Sequence, residues 1–146
     1  MLDLVLAIAH HLLVFGLAIM LAMELAYLRA DPVPLKRLSG LDAGYGAVAV
    51  LVLVVGVARI VWGAKGWAAY ADNPFFWAKI ATFTVIGLLS ILPTVRFVQW
   101  GRAAKADPAF HPPAAALAGV ATVVRIEVLL LLPLVGFAAA MARWPL

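Results

Sequence analysis

The sequence predicts an all-α integral membrane protein, an antiparallel four-helix transmembrane bundle. Three observations predict it. Of 146 residues, 66% are hydrophobic and only 12% charged, whereas a soluble domain of this size is nearer half apolar. The mean hydropathy is +1.08. Four apolar stretches are each long enough to cross a hydrocarbon core of ~30 Å, for which about 20 residues suffice. Short loops separate them, and no stretch is left over for a soluble domain, so residues 1–146 read as a single transmembrane domain.

The first span runs from about Leu2 to Leu28 and ends at Arg29-Ala30-Asp31-Pro32-Val33-Pro34, where two prolines break the helix. A short piece from Pro34 to Leu41 is expected as an interfacial turn. The second span runs from about Asp42 to Gly63. Gly63, Gly66 and the polar run Tyr70 to Asn73 mark the next loop. Asn73 then Pro74 has the form of an N-cap and a first helical residue. The third span runs to about Trp100 with an expected kink at Pro93, and Gly101 to Pro113 is the third loop. The fourth span runs from about Ala114 to Met141, with a second expected kink at Pro133.

Orientation follows from the cations. Loop one holds Arg29, Lys36 and Arg37, and loop three holds Arg102 and Lys105 with Arg96 just before it. Loop two holds only Lys65, with Arg59 just inside the second span, and the ends of the chain carry only Arg143. The positive-inside rule then expects a multi-pass protein of a cell's inner, cytoplasmic membrane with both termini outside the cytoplasm. Trp62, Trp67, Trp77 and Trp144 fall near the outer interface and Trp100 near the inner one, as in an aromatic belt.

Several function classes drop out. The chain has no cysteine, which excludes disulfides, thiolate catalysis and Cys-ligated metal. The sequence pI near 9.9 does not indicate nucleic acid, because the cations lie between and within apolar stretches rather than on one basic face. The first stretch lacks a basic leading region and a small-x-small cleavage site, so it is expected to be retained. Familiar soluble catalytic and nucleotide-binding motifs are missing.

The chemistry must then lie in the polar residues inside the spans, where each ionisable group is a functional candidate. His10 and His11 lie in the outer half of span one. Arg59 lies near the outer end of span two, and Lys79 about a turn and a half into span three. Arg125 and Glu127 lie near the middle of span four, while Glu24 and Arg96 lie toward the inner side. With the end residues Asp3 and Asp42 set aside, Arg59, Lys79, Arg96 and Arg125 outweigh Glu24 and Glu127. An unpaired charge at depth costs at least ~2.5 kcal/mol, which a bound anion would relieve. Haem carries propionates, and histidine is a common ligand of its iron.

Helical phase leaves the choice of histidine open. His10 and Glu24 fall on nearly one face, with Leu13, Leu17 and Leu21 between them. His11 points about a quarter-turn away, along Phe15, Ala18 and Ala22, where small residues permit close approach. The shared acid favours His10 and the small residues favour His11. The balance falls on His10 as the metal ligand. Being adjacent, the two are a poor chelating pair for one zinc. Tyr45 and Arg59 share a face of span two. Arg125 and Glu127 do not face each other and need partners elsewhere. A structural pair between Glu24 and Arg96 is expected, and His111 reads as a solvated loop residue. Gly16, Ala18, Ala22, Gly56 and Gly119 are expected helix contacts.

His10 early in span one, Phe76-Trp77-Ala78-Lys79 opening span three, and Arg125-Ile126-Glu127 before an apolar run with Pro133 distantly resemble the HemJ-type protoporphyrinogen IX oxidases. The layout also looks like an uncharacterised bacterial four-helix integral membrane protein family. The HemJ resemblance implies haem b, with His10 as axial ligand, Lys79 as a second functional residue, and Arg125 and Glu127 in the same site. The fourth helix of that family carries an Asn-Glu pair, whereas here Ile126 precedes Glu127.

The expected function is that of a haem b membrane oxidoreductase, passing electrons to quinone or another partner, with porphyrinogen oxidation as its specific version. His10 is expected on the iron, with Lys79, His11 or a second subunit on the other side. Arg59 and Arg125 are expected at the propionates, and Glu127 or Glu24 as proton relays, which makes Lys79 and Glu127 the candidate catalytic residues. The alternatives are a proton-coupled transporter lined by Glu24, Arg96, Arg125 and Glu127, and a structural or assembly subunit of a membrane complex. The bilayer is the expected surrounding, and a homo-oligomer fits a large cofactor held between small subunits.

Overall fold

A computed structural model describes residues 1–63 and 66–143, so Lys65 of loop two and Trp144 of the outer belt lie outside the described residues. Four long helices make up the molecule: α1 (Leu2–Leu28), α2 (Leu35–Trp62), α4 (Pro74–Ala106) and α5 (Ala114–Arg143), with a one-turn helix α3 (Ala68–Ala71) before α4. All four long helices have the length and apolarity to cross a membrane. Among the described residues there is no strand.

Two expected boundaries shift. Helix α2 begins at Leu35, so the stretch expected as a separate turn is its first two turns. Pro34 supplies the first carbonyl, which accepts from Leu38 N at 3.0 Å. Asp42 therefore sits inside the helix rather than at its start. Helix α4 continues past Trp100 to Ala106, so Arg102 and Lys105 are helical. The Asn73 cap is as expected. Its Oδ1 accepts from Phe75 N at 3.0 Å and Phe76 N at 3.4 Å, while Pro74 opens the helix without a donor to satisfy. Its Nδ2 also donates to the Met141 carbonyl at 3.1 Å, tying the start of α4 to the end of α5. Pro93 and Pro133 both lie inside continuous helices.

Helix α1 packs on α2 and α5, and α4 packs on α2 and α5. Contacts along α1 and α2 run in opposite order. Asp3 lies beside Gly63, His10 beside Gly56, Gly16 beside Val48 and Met20 beside Gly44. The same holds between α2 and α4, where Ser39 lies beside Gly101, Asp42 beside Thr94 and Tyr45 beside Ser90. Gly16 and Gly56 thus stand at the α1–α2 seam as expected, and Gly44 joins them. Gly119 has open space around it, so it makes no helix contact.

The main apolar core lies toward the end where α1 meets the start of α2. Leu17, Leu21 and Leu28 of α1 meet Leu35 and Leu38 of α2, Phe97 and Trp100 of α4, and Val120 and Val124 of α5. Trp100, expected at an interface, is buried against Phe97. The opposite end carries an aromatic cluster of Trp67, Tyr70, Phe76 and Trp77. Outward positions such as Leu12, Phe15, Val57, Leu88, Leu129 and Leu132 are apolar and exposed. Apolar surface on this scale is poorly suited to water and well suited to lipid.

Candidate functional site

The face of α1 read from His10 to Glu24 is the inward one, because Leu17, Leu21 and Glu24 are all buried. His10 is half-buried on it, whereas His11 is exposed together with Phe15 and Ala22. His11 donates through Nδ1 to the Ala7 carbonyl at 2.6 Å, an i−4 bond that folds the ring back on its own helix. The two rings stand edge to face with centroids 6.4 Å apart.

His10 lies against α2 where Gly56 leaves room for it. A Cβ on Gly56 would stand 3.4 Å from His10 Cε1. Nδ1 of the ring is buried without a partner. Arg59, one turn further along α2, is half-buried, and its Nε is likewise buried and unpartnered. Lys79 of α4 is half-buried, with Nζ 6.0 Å from the centroid of the Phe76 ring. Both cations act electrostatically on His10, and Arg59 acts on Lys79. No carboxylate acts on either His10 or Lys79. Three helices thus bring His10, Arg59 and Lys79 together into a basic cluster, with Asp3 one turn beyond Arg59, beside Gly63.

The other expected site residues lie elsewhere. Arg125 is exposed on α5 and Arg96 is exposed on α4. Glu127 and Glu24 are each only 1% exposed. Glu24 is buried with an unpartnered Oε1 while Arg96 is exposed, and among the described residues no ion pair joins them. His111 is exposed, as expected, with Nδ1 donating to the Ala109 carbonyl at 2.7 Å.

A second polar assembly surrounds Glu24 and Glu127. Asp42 of α2, buried, accepts from Thr94 Oγ1 at 2.8 Å. Tyr45 Oη lies 3.4 Å from Ser90 Oγ. Glu24 interacts electrostatically with both Asp42 and Glu127. The sequence reading missed Asp42, Ser90 and Thr94. The available signal was spacing: Asp42 and Tyr45 are three apart on α2, and Ser90 and Thr94 four apart on α4, so each pair presents polar groups on one face.

The His10–Arg59–Lys79 cluster could hold a haem. The imidazole offers a buried nitrogen without a partner, and the two half-buried cations beside it suit anionic propionates. Among the described residues no three histidines or acids form a metal-holding group, so an iron there would be held by a single protein histidine within a porphyrin, not by a protein cage.

A family model described as a predicted membrane protein, DUF2214, matches residues 2–144. No curated protein and no solved structure matches the chain.

Proposed function

The chain belongs to the DUF2214 family of predicted membrane proteins, and we propose that it is an antiparallel four-helix bundle of a bacterial inner membrane that binds haem b and carries electrons. One observation carries this reading: His10, Arg59 and Lys79 converge from three helices, and the buried atoms His10 Nδ1 and Arg59 Nε have no partner among the described residues. Half-buried cations inside a membrane span favour a ligand that brings negative charge. Haem does so and also gives the unpartnered imidazole nitrogen a metal to bind. When bound, the cofactor supplies one-electron chemistry. His10 would hold it from the α1 side, against Gly56, and Arg59 and Lys79 would neutralise its propionates. A porphyrinogen or a quinone is the proposed electron partner. Haem titrated into the detergent-solubilised protein is expected to give a Soret band that saturates at about one haem per chain. Linear growth without saturation contradicts specific binding.

A second reading, a subunit that assembles with other membrane chains, is favoured by Arg125. It lies eleven residues into α5, near mid-membrane by the helical rise, and faces outward without a partner. A charge there is costly against lipid, and an acidic group on a neighbouring helix would offset it. Under this reading Arg125→Gln lowers the native mass of the purified assembly while leaving the haem bands in place.

A further inference from the structure

The polar assembly around Glu24 and Glu127 has a different chemistry from the basic cluster. By the helical rise, His10 and Glu24 stand roughly 20 Å apart along α1. Four helices contribute: Glu24 from α1, Asp42 and Tyr45 from α2, Ser90 and Thr94 from α4, and Glu127 from α5. Glu24 and Glu127 are each 1% exposed and Asp42 5%. No cation stands among them, since Arg96 and Arg125, the basic residues nearest in sequence on α4 and α5, are exposed on the outside.

Donor counting decides what the site holds. A hydroxyl has one proton to give. Ser90 gives its proton to the Ile86 carbonyl at 2.8 Å. Ser90 is also the hydrogen-bonding neighbour of Tyr45, with the two oxygens 3.4 Å apart. With its proton committed, Ser90 only accepts, so Tyr45 donates its phenolic proton and Ser90 has none to give to Glu127. The Thr94 proton is committed to Asp42. That leaves the buried Oε1 atoms of Glu24 and Glu127 without a donor. Three ionised carboxylates in this space would be unpaired and short of donors, an arrangement burial strongly disfavours. Their spacing does not form a metal-holding group among the described residues. The ligand that fits is the proton.

We propose that Glu24, Asp42 and Glu127, set beside Tyr45, Ser90 and Thr94, form a proton-binding centre inside the bundle. The centre stands on its own residues and does not require haem at the basic cluster. Each proton taken up converts one carboxylate to a carboxylic acid and removes one buried negative charge. It then provides a donor for a neighbouring oxygen.

Infrared spectroscopy of the purified protein in lipid tests this. At neutral pH the wild type is expected to show a carboxylic-acid C=O band above the amide region, moving to lower frequency in D2O. Glu127→Gln and Glu24→Gln are each expected to lose part of it, and His10→Ala to keep it whole. A wild type without the band overturns the proposal. So does a band insensitive to D2O, or one unchanged in both Gln variants. If a Gln variant fails to fold, Tyr45→Phe replaces it: removing the phenolic proton is expected to shift the remaining band, and an unmoved band argues against the proposed centre. Loss of haem bands in His10→Ala with the infrared band intact separates this centre from the basic one.

Discussion

At the scale of single residues, the two histidines show what one step along a helix decides. His10 and His11 differ by about 100° in phase, and this puts one ring against Gly56 and the other on the outer surface. Gly56 matters because a Cβ there already meets His10 Cε1 at 3.4 Å. Gly56→Leu is therefore expected to push the imidazole off its place and to weaken haem retention about as much as losing the ring, although the histidine is still present. Retention equal to wild type, measured by haem loss to a competing apo-globin, would contradict this. The inward face of α1 was legible from the sequence because His10, Leu17, Leu21 and Glu24 share a phase. The meeting of His10 with Arg59 and Lys79 was legible only as a shared depth. Asp42, Ser90 and Thr94 were not legible as a unit, since their partners lie across helix seams that one sequence does not specify.

At the scale of elements, the apolar spans identify the helices well and their ends less well. Asn73-Pro74 was readable because the cap is local chemistry, an Asn oxygen two and three residues before the amides it serves. The starts and ends of α2 and α4 were harder. Polar residues such as Lys36, Arg37, Arg102 and Lys105 look like loop in a hydropathy reading, yet they extend a helix beyond the apolar core with their charges exposed. Asn73 also carries a contact invisible in sequence, its donation to the Met141 carbonyl. Asn73→Ala is expected to destabilise the fold by about 1–2 kcal/mol, the usual size of a lost cap. Asn73→Asp, which keeps the acceptor and loses the donor, is expected to fall between the two. Thermal unfolding in detergent measures both, and equal melting temperatures for Ala and wild type would rule out a structural role for the cap.

At the scale of the whole molecule, an apolar exterior surrounds two separate polar groups, one basic and one acidic. The exterior was the most legible property of all, because hydrocarbon as a solvent leaves a composition-wide mark. The direction of insertion rests on the loop cations. The chain has no cysteine, so single cysteines at Asp31, Asp72 and Asp107 give a clean labelling test in intact cells. Asp72→Cys is expected to react with an impermeant reagent from outside, and Asp31→Cys and Asp107→Cys only after lysis; the reverse pattern would invert the topology. The central claim is that the basic cluster holds haem through His10. The most direct measurement is the dithionite-reduced minus oxidised absorption spectrum of the protein purified from haem-supplemented cells, for wild type, His10→Ala and His11→Ala. The account predicts b-type bands in wild type and His11→Ala and their loss in His10→Ala. Bands that survive His10→Ala, or a wild type with no bands, would contradict it.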